Sequence, residues 1–294
     1  MNLENEIKEA IRKEIIKFFD DQKIIIPEEK RDYTSVMLFL FNINRKWIPK
    51  KPRKVVISAA LKEKLNGHLE RTICDYEKCL EKEFEVGENI NSHLSRNIYQ
   101  ASRYDKLLDQ WGIHHLHLNP ERVDEESEMK KNRSDKYLLF LVEKDFVYFL
   151  DIVDHLHGEE FANRGFIQII RDNGWDHLSL IKNVPYIEKL QHNVIDKKDI
   201  YDSWKSNVNL IIANGDKNFF IGNGTSLSGD SLCDIELLTN FNRCLFKLSQ
   251  ERDGSISKIF IMNGENILFL EVNIGNKTCE CKIKNSSGAN HCAL

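Results

Sequence analysis

The chain has 294 residues, with 42 basic and 46 acidic side chains and a formal net charge of -4. This length exceeds the roughly 100–200 residues of a usual single domain, so more than one domain is expected. A charge balance this close to neutral excludes a global attraction for nucleic acid or an anionic membrane, so such binding would need a local patch. No stretch approaches the roughly 18 consecutive apolar residues of a membrane span. The seven cysteines come without a secretory signal, which predicts reduced thiols and a cytoplasmic protein without membrane contact.

Residues 1–54 are predicted to form an N-terminal helix and a basic linker. Apolar side chains recur every three to four positions over residues 3–19, which predicts an amphipathic helix. The apolar run 36–41 that follows is typical of a short strand. Residues 45–54 then contain six cations, one Trp, two prolines and no acidic residue. Because proline fixes φ and removes a donor, this run is predicted to be an extended loop.

Residues 55–200 are predicted to form a central module that mixes helices and strands. A short apolar run opens it, two helical patterns follow with Gly87 between them as a helix stop, and then the period changes to two. The predicted elements are strand 55–58, helices 59–84 and 89–110, strands 112–118, 137–143 and 146–153, and helix 159–172.

Residues 201–294 are predicted to form a β-rich C-terminal domain, with a boundary near 200. One helix-like stretch covers 232–250, and Asn263-Gly264 between two apolar runs indicates a hairpin. The β-like runs are 208–212, 218–221, 258–262, 267–272 and 279–283.

Three imidazoles lie within the strand predicted over 112–118. Because side chains alternate across a strand, His115 and His117 are predicted to share one face while His114 lies on the other. A second pair, His155 and His157, follows another apolar strand at the same spacing. Imidazole has an ordinary pKa of about 6.5 and can give or accept a proton near neutrality. Both pairs are therefore candidates for proton transfer, with incidental surface histidines as the alternative.

The order of elements resembles that of the RelE/YoeB-like toxin superfamily over roughly residues 55–172. The resemblance lies in two helices, a strand ending in alternating His and Leu, a polar loop with Arg133, and the hairpin of strands 137–142 and 146–153. It implies an α+β fold in which a helical hairpin packs on a small antiparallel sheet, extended by the N-terminal helix and the C-terminal β-rich domain. It also implies a metal-independent endoribonuclease of a bacterial stress or anti-phage toxin system.

In such an enzyme the ribose 2′-hydroxyl attacks the adjacent phosphate, which needs a base, a cation for the phosphorane charge and an acid for the leaving oxygen. The resemblance assigns the base to His115 or His117, the phosphate contact to Arg133 or Lys131, and the acid to His155 or His157. Asp151 and Asp154 could orient these imidazoles.

Two positions depart from the family's pattern. Tyr137 stands where an Arg is common, and Phe161 stands where a Tyr often completes the site. Phenylalanine cannot transfer a proton. If the resemblance is one of fold alone, the chemistry of this protein would differ from that of the family or be lost.

The cationic run 45–54 is the best candidate for contact with a phosphate backbone, since Trp47 could stack on a base. The alternative is a solvated linker. The predicted nucleic-acid contacts are Lys46, Trp47, Lys50, Lys51, Arg53, Lys54 and Lys131.

The predicted partners are RNA, free or on a ribosome, and an antitoxin or other protein; no cofactor or catalytic metal is expected. Two alternatives remain, a non-enzymatic protein- or nucleic-acid-binding module and a metal-dependent enzyme that uses the His cluster. Cys279 and Cys281 with His291 and Cys292 could hold zinc, but their one-residue gap is short for a zinc knuckle and favours unpaired thiols.

Overall fold

The chain divides into two compact units, each built from separate stretches of sequence. The computed structural model describes residues 3–67, 69–94, 99–118, 136–154, 159–178, 182–184, 196–209, 211–214, 218–221, 224–226, 228–250, 256–263, 268–274, 277–283 and 291–293. Unit 1 comprises Met1–Pro49, Arg96–Tyr104 and Asp230–Leu294, whereas unit 2 comprises Lys50–Ser95 and Asp105–Gly229. The boundaries predicted near 54 and 200 therefore differ from this division.

The described residues contain eight α-helices and eleven strands, which confirms the α+β class. The helices are α1 (Leu3–Asp21), α2 (Tyr33–Lys46), α3 (Ala59–Leu65), α4 (Arg71–Val86), α5 (Lys106–Trp111), α6 (Gly165–Asp172), α7 (Lys197–Lys205) and α8 (Leu232–Ser249). The strands are β1 (Lys54–Ile57), β2 (His114–His117), β3 (Lys136–Val142), β4 (Phe146–Asp154), β5 (Lys182–Val184), β6 (Ile211–Asn214), β7 (Asn218–Ile221), β8 (Ile256–Asn263), β9 (Leu268–Ile274), β10 (Lys277–Ile283) and β11 (His291–Ala293). Among the described helices, none has the length and apolarity needed to cross a bilayer.

Helix α1 confirms the amphipathic helix predicted at the N-terminus. Its stripe of Ile7, Ile11, Ile15 and Phe19 is fully buried in the core of unit 1. The i, i+4 spacing places these side chains on one face, so burial of that face holds the helix against its neighbours.

Helix α2 replaces the strand predicted over 36–41, and that prediction was wrong. The helix starts where the side chain of Asp32 accepts a hydrogen bond from the backbone N–H of Ser35. Its residues from Val36 to Lys46 are all buried, so the apolar run carries no alternation of faces. A short apolar run of this kind does not distinguish a buried strand from a buried helix, and the Asp32 cap decides it here.

The C-terminal strands of unit 1 form an antiparallel sheet of order β11-β10-β9-β8. The fully buried Val272 of β9 belongs to the same core cluster as Leu237, Phe241 and Leu245 of α8. The strands predicted over 258–262, 267–272 and 279–283 are confirmed. The predicted hairpin is also confirmed in its strands, because Asn263 pairs with Leu268; residues 264–267 lie outside the described residues.

The main sheet of unit 2 has the order β1-β4-β3-β2. Strands β2, β3 and β4 are antiparallel as predicted, whereas β1 pairs with β4 in parallel and makes the sheet mixed. Phe84 of α4 packs edge-on against Phe140 and Phe149 on one face. The opposite face carries a second core cluster that includes Leu139. Strands β5, β7 and β6 form a separate three-stranded sheet.

The helices of unit 2 follow the sequence prediction only in part. The helix predicted over 59–84 is two helices, α3 and α4, and α4 ends at Gly87 with a φ of +76°, as predicted for a helix stop. The second long helix predicted over 89–110 was wrong. A 3₁₀ turn at Ile90–His93 and the six-residue α5 are formed instead, and Leu94 makes a β-bridge to Leu116. The helix predicted over 159–172 is a 3₁₀ turn, Glu159–Ala162, followed by α6.

Candidate active site around His115

His115 and His117 share one face of β2, as predicted from strand alternation. Their cross-strand partners on β3 are Leu139 and Tyr137, both members of the core cluster on that face. His114 lies on the other face, where it is 4% exposed and stacked on Phe140 with 5.5 Å between ring centroids. His114 is therefore a core residue, and the candidate chemistry belongs to the face that carries the other two imidazoles.

Aromatic rings surround these two imidazoles. The ring of Tyr137 lies 4.4 Å from that of His117 and 5.3 Å from that of His115, centroid to centroid. Phe161 lies 4.8 Å from His115 and 5.1 Å from Tyr137. The two positions that depart from the toxin superfamily's pattern thus contact the imidazole directly. An apolar wall of this kind lowers the local dielectric constant and strengthens every charge interaction of the ring.

Asp105 holds His115 from the start of α5. One carboxylate oxygen accepts a 3.2 Å hydrogen bond from the backbone N–H of Leu108 and caps the helix. The other oxygen lies 3.2 Å from Nδ1 of His115. Because the cap fixes the carboxylate, the imidazole is oriented by a rigid element rather than by a mobile side chain.

The electrostatics of this site favour the protonated form of His115. Burial by itself would lower the pKa of the ring, whose side chain is only 14% exposed. The attraction of the Asp105 carboxylate, 3.2 Å from Nδ1, with a smaller attraction from Glu160, exceeds that effect, so the pKa of His115 is raised. An imidazole of this type is suited to donate a proton near neutral pH.

Sequence reasoning missed both carboxylates. Asp105 precedes the run Lys106-Leu107-Leu108 and has the sequence pattern of a helix N-cap, which could have marked it. Glu160 is 7% exposed within a 3₁₀ turn and carries no comparable signal.

The acidic residues proposed to orient the imidazoles have other partners. Asp151 pairs with Lys64 at 2.6 Å, and Asp154 pairs with Lys136 at 2.5 Å. Among the described carboxylates, the one within 3.2 Å of His115 is that of Asp105.

Four predicted site residues, Lys131, Arg133, His155 and His157, lie outside the described residues. The phosphate contact and the second imidazole pair therefore stay predictions. Lys131 and Arg133 belong to the segment that connects β2 to β3, and the two histidines directly follow β4. All four are thus attached in sequence to the strands that carry or adjoin the candidate site.

The predicted nucleic-acid contacts Lys46 and Trp47 lie in unit 1. Lys46 is 4% exposed, and its ammonium group donates to the backbone carbonyls of Gln100, at 3.3 Å, and Arg103. Trp47 is half-buried, with its ring 6.3 Å from that of Phe18. Both side chains therefore have structural contacts within unit 1.

The other predicted contacts of the cationic run lie in unit 2. Arg53 is 5% exposed and donates to the carbonyl oxygens of Glu143 and Lys51, and Lys51 pairs with Asp145 at 2.5 Å. Lys50 and Lys54 are exposed. The described part of the run thus offers two exposed lysines to a phosphate backbone, with its other cations engaged inside the protein.

A second polar cluster, also missed by sequence reasoning, joins α4 to the following 3₁₀ turn. Nδ1 of His93 lies 2.7 Å from the hydroxyl of Tyr76, and its Nε2 lies 2.8 Å from a carboxylate oxygen of Glu83. The neighbouring Glu77 is 1% exposed, and burial raises its pKa to about 7. The side chains of His93 and Glu83 are both largely buried, so this cluster fixes the turn against the helix.

Among the described side chains, no group of three or more His, Cys, Asp or Glu residues could hold a metal ion. Comparison with known protein families, with curated proteins and with solved structures found no match to this chain.

Proposed function

We propose that unit 2 is a metal-independent endoribonuclease-like module that cleaves RNA by attack of a ribose 2′-hydroxyl. The observation that carries the proposal is the pair of imidazoles, His115 and His117, on one face of β2, with the pKa of His115 raised by Asp105 despite its burial. A cofactor-free RNA cleavage needs one group that accepts a proton and another that donates one.

His115 is the proposed general acid. It gives its proton to the 5′-oxygen as the bond from phosphorus to that oxygen breaks. Asp105 orients the ring and stabilises its charge, in the way that an aspartate supports a catalytic histidine in other enzymes. The aromatic wall of Tyr137 and Phe161 excludes water from this side of the ring.

His117 is the proposed general base, which takes the proton of the 2′-hydroxyl as that oxygen bonds to phosphorus and a 2′,3′-cyclic phosphate forms. Residues two positions apart on a strand are separated by about 6.6 Å, because each residue advances the chain by about 3.3 Å. In this proposal the phosphate is bound between the two imidazoles, with the attacking and leaving oxygens on opposite sides.

Arg133 or Lys131 is the proposed cation for the phosphorane charge, and the proposed fold of the module is RelE-like. The antiparallel order of β2, β3 and β4 and the packing of α4 on one face of their sheet support that fold. In this proposal the protein acts in a bacterial stress or anti-phage defence system, with an antitoxin or another protein as its partner.

The test uses the full chain, a mixed-sequence single-stranded RNA and, separately, ribosomes that translate an mRNA, all in the presence of a metal chelator. His115→Ala and His117→Ala are each expected to lower the cleavage rate by about 10²–10⁴-fold, the usual contribution of a general acid or base. His177→Ala is the matched control, because this histidine is exposed and lies in another part of unit 2. Its rate should equal that of the wild type.

The products and the substrate test the mechanism separately. Cleavage should leave a 2′,3′-cyclic phosphate, and a 2′-deoxy substitution at the cleaved nucleotide should abolish it. Cleavage that is lost on chelation, that persists on the 2′-deoxy substrate or that is unchanged in both histidine variants would contradict the proposal.

A second candidate function is a non-enzymatic binding module on the same fold. The observation that favours it is the enclosure of His115, which is 14% exposed and faces the carboxylates of Asp105 and Glu160. Two carboxylates repel a phosphate unless nearby cations compensate. This candidate predicts no cleavage of either RNA substrate, together with a lower free energy of unfolding in His115→Ala.

A further inference from the structure

The polar cluster between α4 and the following 3₁₀ turn places three reactive groups in one row. The hydroxyl of Tyr76 lies 2.7 Å from Nδ1 of His93, and a carboxylate oxygen of Glu83 lies 2.8 Å from Nε2 of the same ring. Tyr76 and Glu83 are two turns apart on α4, so both lie on one stripe of the helix and a single imidazole contacts both. A hydroxyl, a base and a carboxylate are therefore aligned.

The carboxylate of Glu83 determines which nitrogen of His93 carries the proton. An ionised carboxylate accepts protons in hydrogen bonds and donates none, and its charge favours a proton on the nitrogen that faces it. With the proton of the neutral ring on Nε2, Nδ1 is the acceptor, and the hydroxyl of Tyr76 donates to it. His93 is thus placed to take the proton of Tyr76.

The three groups differ in their exposure. The side chains of His93 and Glu83 are 7% and 11% exposed, whereas Tyr76 is half-buried. Thr72 and Cys79 adjoin Tyr76 on the same stripe of α4, and both are exposed. Tyr76 is therefore the member of the row that lies nearest to an open surface, with the base and the carboxylate behind it.

We propose that Tyr76 is a nucleophile that takes an acyl group from an uncharged, activated carboxylic ester, with His93 as its base and Glu83 as the group that positions the imidazole. Tyrosine is among the side chains that form covalent intermediates in enzymes. The usual arrangement for such a step is a nucleophile within hydrogen-bond reach of a base that is itself oriented by a third group. This site is separate from His115 and does not depend on the proposed RNA cleavage.

The reaction balances with water as the second reactant. The proton of the Tyr76 hydroxyl passes to Nδ1 of His93 as the phenolic oxygen bonds to the acyl carbon. The bond from that carbon to the leaving oxygen breaks, and this oxygen takes the proton from His93 and departs as an alcohol. Water then gives a proton to His93 as its oxygen attacks the acyl carbon, the bond to Tyr76 breaks, and the phenolate regains the proton. The product is a carboxylic acid.

The charges on this stripe of α4 favour an uncharged ester over a phosphate. A helix turns by about 100° per residue, so Lys78 and Lys82 lie about 200° and 240° around α4 from Tyr76. The stripe itself carries the carboxylate of Glu83 and no Lys or Arg. A phosphate at Tyr76 would be repelled by this carboxylate, whereas an uncharged ester would not.

The test treats the full wild-type chain with p-nitrophenyl acetate and follows acetylation of each residue by mass spectrometry of peptides. Tyr76 is expected to react at least about 10²-fold faster than Tyr201, since a general base contributes about that much or more. Tyr201 is the internal control because it is also half-buried and lies in unit 2. Equal rates at the two tyrosines, or acetylation of Cys79 in place of Tyr76, would overturn the proposal.

Variants then test the two supporting residues. His93→Gln should lower the acetylation rate of Tyr76 by about 10²-fold or more and leave that of Tyr201 unchanged. Glu83→Gln keeps an oxygen acceptor for the proton on Nε2, so it should retain more of the rate than Glu83→Ala. An unchanged rate in His93→Gln would refute the role of the base, and equal rates in the two Glu83 variants would refute the positioning role.

Two control variants identify the source of the reactivity. Cys79→Ser removes the neighbouring thiol and should acetylate Tyr76 at the wild-type rate. His115→Ala combined with His117→Ala should do the same, whatever the result of the RNA cleavage assay. Loss of Tyr76 acetylation in either control would contradict the assignment to Tyr76 and His93.

Discussion

The buried ion pair of Arg45 and Asp234 in unit 1 tests whether this cation of the run 45–54 stabilises the fold. Nε and Nη2 of Arg45 each donate a 2.8 Å hydrogen bond to one oxygen of Asp234, and the two side chains are 8% and 2% exposed. Asp234→Asn leaves the guanidinium buried without this counter-charge, which typically costs 3–5 kcal/mol. Asp230 also contributes negative charge near Asp234 and would partly compensate, so we expect a loss of about 3 kcal/mol in the free energy of unfolding.

Replacement of both partners should cost far less than replacement of one. Burial, with a smaller contribution from the charge of Asp230, raises the pKa of Asp234 against the opposing attraction of Arg45. Removing a buried ion pair also removes the cost of desolvating its two charges. Arg45→Met combined with Asp234→Leu is therefore expected to lie within about 1 kcal/mol of the wild type, or to be more stable.

Urea unfolding followed by circular dichroism, with linear extrapolation to water, measures these differences. Asp75→Asn is the matched control, because its partner Arg71 lies 3.9 Å away and the two side chains are 94% (Arg71) and 66% (Asp75) exposed. Its effect should stay below about 0.5 kcal/mol. A loss in Asp234→Asn as small as that of the control, or a double variant no more stable than the single one, would refute the reasoning.

Two further predictions concern pH. The raised pKa of His115 means that its pairing with Asp105 stabilises the fold fully below the unfolded pKa of about 6.5, and that this contribution is lost as pH rises through the folded value. Asp105→Asn, which keeps a capping residue, should lower the free energy of unfolding mainly at acid pH; an equal loss at all pH values would contradict this. Burial raises the pKa of Glu77 to about 7, so wild-type stability should fall as pH rises from about 4.3, its unfolded pKa, to about 7. Glu77→Gln should remove that fall in a pH series of urea unfolding curves, and parallel wild-type and variant profiles would count against the buried carboxyl as its cause.

The parts of the fold that local patterns encode were predictable. Helix α1, the hairpin of β3 and β4 and the helix stop at Gly87 follow from period and from single-residue backbone preferences. The placement of His115 and His117 on one face of β2 follows from alternation alone. The parallel pairing of β1 with β4 could not be predicted from local patterns, because the two strands are distant in sequence and their pairing leaves no periodic signal in either strand.

The cationic run shows why the candidate site could be predicted only in part. The sequence shows six cations in this run. It does not show which carbonyl or carboxylate oxygens lie next to each cation in the folded protein. Lys46 donates hydrogen bonds to two backbone carbonyls, and Arg45 donates to Asp234, 189 positions later in the chain. The same limit applies to Asp105, whose cap has a local signal although its contact with His115 depends on the tertiary fold. The sequence therefore identifies which cations could contact RNA, whereas the structure shows which of them are exposed. Lys50 and Lys54 are exposed, so they are the cations of this run to replace first in an RNA-binding assay.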